Sequence, residues 1–260
     1  MRLVFIDETG DTNHPNYLGF SIATVDSRFY PTIKRATHAI LKKAKWDPKI
    51  EFKGSYLFSE SKGCAAVGVE DRVHAAGELL DLNASKVNSR LHFAYGRLNS
   101  ENVAQDYLEK LPSLLSAVLP RANTGPGKNL ISITCDERSD VPLDKLHNAL
   151  APAVLEKGYV ILESVTAAKS SIETVGLMFA DIVGYLYSRV DTIKVDAEIF
   201  HEIPHEVIQK NGQLRKLASS KELIKKIRDL TVLTHKTAPP RIVSNPIGSR
   251  LVAPASAVSK

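Results

Sequence analysis

The stretch VGLMFADIVGYLY, residues 175–187, is apolar nearly all the way round at helical spacing, so the helix it forms must be buried by other elements. Yet Asp181 stands near its middle, where each neighbouring backbone N–H is already used inside the helix. A carboxylate so placed needs a Lys or Arg partner, a raised pKa or a metal. Breaking a buried charge pair costs about 3–5 kcal/mol, so the choice matters.

The remaining pattern supplies the covering layers. Residues 2–6 and 17–25 are β-rich and apolar and predict two strands joined by a long loop holding Gly10, Asn13, Pro15 and Asn16. Residues 30–45 place Ile33, Ala36, Thr37, Ile40, Leu41 and Ala44 on one helical face, with Lys34, Arg35, Lys42, Lys43 and Lys45 elsewhere. An irregular stretch, 46–68, contains IEFKGS. After it the spacing predicts a helix at 70–82, a strand at 90–98, a helix at 101–118 and a strand at 129–135. A helix follows at 142–156, with Leu143, Leu146, Leu150 and Val154 in phase, then a strand at 159–168. Ser170 and Glu173 have capping-box spacing and open the last helix, which runs to about Val190. Strands alternating with helices predict an α/β fold, a mixed sheet flanked by helices, over residues 1–200.

Beyond that domain the composition changes. From Ile203 to Lys260 eleven Lys and Arg face three acids, whereas the first 202 residues carry a small acidic excess. A basic tail, 201–260, is therefore expected, with one helix at 219–230 and then APPRIVSNPIGSR, extended or disordered; such a charge suits nucleic acid, an acidic protein or simply water, and nucleic acid is the expected partner. Cys64 and Cys135 are too few for a disulfide framework and lack zinc-ligand spacing, which suits a reducing cytoplasm. No stretch has the length and apolarity of a membrane span or a signal segment. Two tempting motifs fail. NTGPGKN, 123–129, has Ala122 and Asn129 where a phosphate loop needs Gly and Ser or Thr. HEIPH, 201–205, matches H-E-x-x-H, but Pro204 is tolerated only in a first helical turn and the preceding AEIF is expected to be extended.

The strands at 2–6 and 129–135 run into Asp7 and Asp136. If they lie parallel and adjacent, these carboxylates emerge side by side at the edge where α/β sheets bind ligands. With them in view, IDETGD at the N-terminus, IEFKGS at 50–55, SITCDERSD at 132–140 and an S-x(n)-ADIVGY element ending at 185 resemble, in order, four blocks of the domain-of-unknown-function family numbered 3800. That resemblance spans roughly residues 1–190 and implies a ribonuclease H-like fold. It also implies an acidic set of Asp7, Glu51, Asp136 and Asp181. MFAD replaces a commoner LQLAD, losing an amide, and Thr9 replaces a commoner serine.

Four carboxylates in one cleft repel each other and persist only if protonated or neutralised, and hard oxygen donors suit Mg²⁺ or Mn²⁺. The expectation is a metal-dependent nuclease cleaving phosphodiesters, with Asp7 shared between ions, Asp136 and Asp181 completing the metal shells, and Glu51 holding a metal or its water. Lys53 is expected either to meet a substrate phosphate or to pair with Glu51. Glu8, Asp11 and Asp140 are expected to be solvated or capping. One alternative is a haloacid dehalogenase-like phosphatase with Asp7 as nucleophile, although Thr9 stands where its acid/base Asp is needed. Another is a non-catalytic nucleic-acid-binding module. Substrate choice and oligomeric state are not written in the pattern.

Overall fold

The computed structural model describes residues 1–11, 14–57, 59, 62–82, 91–99, 102–122, 129–138 and 140–200. The glycine-rich stretch 123–128, the HEIPH segment and the basic tail with its expected helix lie outside the described residues.

Twelve elements follow in order: strands β1 (Arg2–Asp11) and β2 (His14–Asp26), helix α1 (Tyr30–Lys43), a 3₁₀ turn (Gly54–Tyr56) and helix α2 (Val69–Asp81). Strand β3 (Leu91–Asn99), helix α3 (Val103–Val118), strand β4 (Leu130–Asp136) and helix α4 (Leu143–Glu156) come next, before β5 (Val160–Ile161), β6 (Thr166–Ala168) and helix α5 (Val175–Phe200). The sheet is mixed, in the order β3-β2-β1-β4-β5, with β6 also pairing with β4. Strand β2 is antiparallel to β1 and β3, whereas β4 runs parallel to β1, and β5 and β6 run parallel to β4. This is the α/β architecture expected from the sequence, a mixed sheet flanked by helices.

Strand alternation sorts the core into two layers. Val4, Ile6, Phe20, Ile22, Ile131, Ile133 and Cys135 pack against α3 and α4. Phe5, Ala23 and Val25 face the other way, against α1, α2 and α5. Helix α5 can lie this close only because of its small residues. A Cβ on Gly176 would overlap the Phe5 ring, and one on Gly184 would stand 2.7 Å from Ser21 Oγ. The apolar run around Asp181 is accordingly buried, from Val175 to Ile182 and beyond.

Several expectations are corrected. The first strand does not stop before Asp7: it continues to Asp11, and the second begins at His14, which pairs with Asp11 after a register shift at Gly10 and Asp11. The pairing of β1 with β2 extends past the apolar residues because ladder hydrogen bonds do not depend on side-chain polarity. The strand at 159–168 is split in two. Leu130 pairs with Val160 but Thr134 with Thr166, so two extra residues on the outer strand loop away between the pairings. Leu143 is 38% exposed, and the inner face of α4 is Leu146, Leu150 and Val154. The Ser170–Glu173 capping box does not form. Ser171 Oγ instead accepts the Thr174 N–H at 3.2 Å while Thr174 Oγ1 accepts the Ser171 N–H at 2.7 Å, and Glu173 turns outward to Lys34. AEIF, expected to be extended, is the last turn of α5. No helix of the described residues is long and apolar enough to cross a membrane.

Candidate active site

Parallel pairing of β1 with β4 sets Ile6 opposite Cys135, so the next residues along, Asp7 and Asp136, emerge on neighbouring strands. Both project to the α5 face, alternating with Ile6 and Cys135, which belong to the opposite core layer. Asp7 is 5% exposed, and its Oδ1 accepts the Glu8 N–H at 2.9 Å. Across the hairpin, Ser21 Oγ donates to the Asp7 carbonyl at 3.2 Å. Asp136 Oδ1 accepts the Ser170 N–H at 3.2 Å. The Ser170 hydroxyl is enclosed beside it without a hydrogen-bond partner. Among the described residues, no Lys or Arg forms an ion pair with Asp7, Asp136 or Asp181.

Asp181 meets this edge from α5, and its carboxylate is partnered in a way the sequence did not announce. Gly54 of the IEFKGS block donates its N–H to Asp181 Oδ2 at 2.5 Å. Only glycine fits there, because a Cβ would collide with the Tyr185 side chain. The glycines of the second and fourth blocks thus have a packing reason, and the Gly54 bond to Asp181 brings the segment carrying Glu51 against α5. Lys53 Nζ lies 2.9 Å from Glu51 Oε2, which is the ion-pair expectation for this lysine. Glu51 Oε1 is enclosed and has no hydrogen-bond partner.

Asp7 and Asp181 feel the charges of neighbouring acids. Burial, then the charges of Asp181, Glu8 and Asp136, push the Asp7 carboxyl well above its ordinary range. Burial also raises Asp181 to about 6; Glu51 and Asp136 add to this, against the lowering effects of the Gly54 N–H and Lys53. These groups hold protons more tightly folded than unfolded, so their contribution to stability is complete below about pH 4 and is lost as the pH rises through the folded values. Metal-free protein is therefore expected to melt at a lower temperature at pH 8 than at pH 5. Calorimetry in EDTA that showed no such decline would mean the repulsion is relieved elsewhere.

Glu8, expected to be solvated, is a second correction. It projects to the opposite face, where burial lifts its carboxyl to about 7 despite Arg138 Nη1 at 2.8 Å from Oε1. Arg138 also chelates Asp140 through Nε at 2.8 Å and Nη2 at 2.5 Å, and stacks 4.6 Å above the Tyr107 ring. This network ties the end of β4 to β1 beneath Asp7 and Asp136. Arg72, also unforeseen, organises the other side of the cleft. It is buried and donates to the carbonyls of Tyr56, Ser59, Lys62, Cys64 and Val67, fixing the loop that carries Gly54. A lone arginine in an amphipathic helix carries no sequence signal for such a role.

The donor set suits a hard dication: carboxylate oxygens only, one of them enclosed and unpartnered at Glu51, with Lys53 as the nearby cation. Even so, among the described residues no three His, Cys, Asp or Glu side chains are gathered closely enough to form a ready-made metal site. The acids share a cleft and a field rather than a closed coordination shell.

No protein-family model matches the chain, and no curated protein matches it in sequence. The four-block resemblance therefore rests on the quoted residues alone. Among solved structures, a chain of the PCNA:RNase HII complex from Archaeoglobus fulgidus is 12% identical, with a TM-score of 0.39 over 87% of this chain and 91% of that one. Ribonuclease H2 from Pyrococcus horikoshii OT3 is 11% identical, with a TM-score of 0.40 over 91% of this chain and 99% of that one.

Proposed function

We propose that this chain is a divalent-metal-dependent nuclease whose acidic site is Asp7, Glu51, Asp136 and Asp181. The observation that carries the reading is that Asp7 and Asp136 leave neighbouring parallel strands and Asp181 meets them from α5, where like charge acts on Asp7 and Asp181 and, among the described residues, no arginine pairs with them. Asp7, Asp136 on the neighbouring strand and Asp181 on α5 would hold the cation. Glu51 offers its unpartnered oxygen. Bound Mg²⁺ or Mn²⁺ would supply activation of water and stabilisation of the departing oxygen in phosphodiester hydrolysis.

The chain's own contribution is orientation. The Gly54 N–H fixes the Asp181 carboxylate, the Ser170 N–H fixes that of Asp136, and the Glu8–Arg138 network holds the two strand ends in register. Lys53, partly open to solvent, supplies positive charge for a phosphate of DNA or RNA. The basic tail would add sequence-independent affinity.

The phosphatase alternative would make Asp7 a nucleophile, but Thr9 stands where its acid/base Asp is needed, and Asp181 would have no task. It predicts phosphate release from small esters, whereas the nuclease reading predicts shortened strands. A binding module predicts neither. The test is to incubate labelled DNA and RNA panels with Mg²⁺ or Mn²⁺, using wild type and Asp181→Asn. Cleavage should require the metal and fall about a hundredfold or more in the variant. Equal cleavage by a folded Asp181→Asn protein would exclude this site.

A further inference from the structure

Lys53 is held in an unusual position for a solvent-accessible lysine. Its backbone is the N-cap of the 3₁₀ turn, pinned on one side by Gly54 against Asp181 and Tyr185 and on the other by the buried Phe52, whose ring packs 4.8 Å from Trp46. The backbone has no room to shift, but the side chain, 36% exposed, does. Its ammonium pairs with Glu51, and the charges of Asp181 and Asp136 act on it as well. Lys34 and Lys43, by contrast, each bridge a glutamate remote from the cleft, Glu173 and Glu78. A compact ammonium on a flexible stem is suited to leave such a position, because it forms no fixed bidentate fork.

We propose that Lys53 is the built-in counter-ion of the acidic site: it holds Glu51 while the site is metal-free, and a dication displaces it from Glu51 toward the solvent side, where substrate phosphate arrives. The proposal rests on reading the four acids as dication ligands. On this view metal loading and phosphate capture are linked through one side chain: the metal takes over Glu51 and frees the lysine.

The experiment uses the full chain, stripped with chelator, and Mn²⁺ alone as the probe. Lys53→Met should lower the melting temperature in EDTA yet bind Mn²⁺ about tenfold more tightly by calorimetric titration, because an internal competitor is gone. Lys53→Arg, whose fork holds Glu51 more firmly, should bind Mn²⁺ more weakly than wild type. In the unmodified protein, an amine-acylating reagent read by mass spectrometry should label Lys53 severalfold faster when Mn²⁺ is added, with Lys34 and Lys43 unchanged as internal controls. That measurement stands even if the methionine variant fails to fold. Wild-type Mn²⁺ affinity in Lys53→Met, or labelling of Lys53 indifferent to Mn²⁺, overturns the counter-ion role alone. A wild type that takes up no Mn²⁺ overturns the dication reading of the acids, and this proposal with it.

Discussion

Replacing Asp7 by asparagine should abolish metal-dependent cleavage, by about a thousandfold or more, while making the metal-free protein more heat-stable. Both effects follow from the same placement. Asp7 is buried among like charges and has no cationic partner among the described residues, so ionising it without a metal works against the fold. Asparagine keeps the shape and an acceptor for the Glu8 N–H but removes that charge. The same change deprives a dication of a ligand. Melting curves in EDTA and with Mn²⁺ check the two halves together: the variant should melt higher than wild type in EDTA and gain less from Mn²⁺. A variant that is less stable in EDTA would mean the Asp7 carboxylate has a structural partner, and full activity would end its assignment as a ligand.

The second large effect is expected at Arg72, whose guanidinium bonds the carbonyls of the loop beside the acids. Arg72→Ala should destabilise the protein by about 3–5 kcal/mol, because one buried guanidinium serves five backbone carbonyls and its loss strands those that water cannot reach. Lysine should rescue little, since a single ammonium cannot span acceptors spread from Tyr56 to Val67. Urea denaturation gives the magnitude, and hydrogen exchange should show residues 54–67 losing protection first. Activity should fall too, because the loop carries the Gly54 N–H that orients Asp181 and the Glu51–Lys53 pair. Unchanged exchange in that loop would show that other contacts hold it.

How far the chain could be understood before its structure depends on the range of the interaction involved. Residues 130–136 alternate and 103–118 repeat at helical spacing, so each declares its element locally. Asp7 and Asp136 could be paired in advance because both end apolar strands, and parallel neighbours in register deliver equivalent positions to the same edge. The interrupted outer strand was not legible: nothing local in residues 159–168 says that β4 has room opposite for two fewer residues. Nor was Glu8, one residue from Asp7 but on the other face of the sheet and answered by Arg138 more than a hundred positions away.

The sequence by itself determined the elements, their alternation and the buried helix with a carboxylate at its centre, since these follow from hydrophobic period and from the cost of stranding a charge. Only the tertiary structure decided what answers that carboxylate, namely a glycine N–H from residue 54 and a nearby lysine, together with the acids of two strands. The reason is physical. Periodicity records which face of an element is buried, whereas a charge is settled by whatever the fold brings within a few ångströms of it, and in this cleft those groups come from segments that share no local pattern.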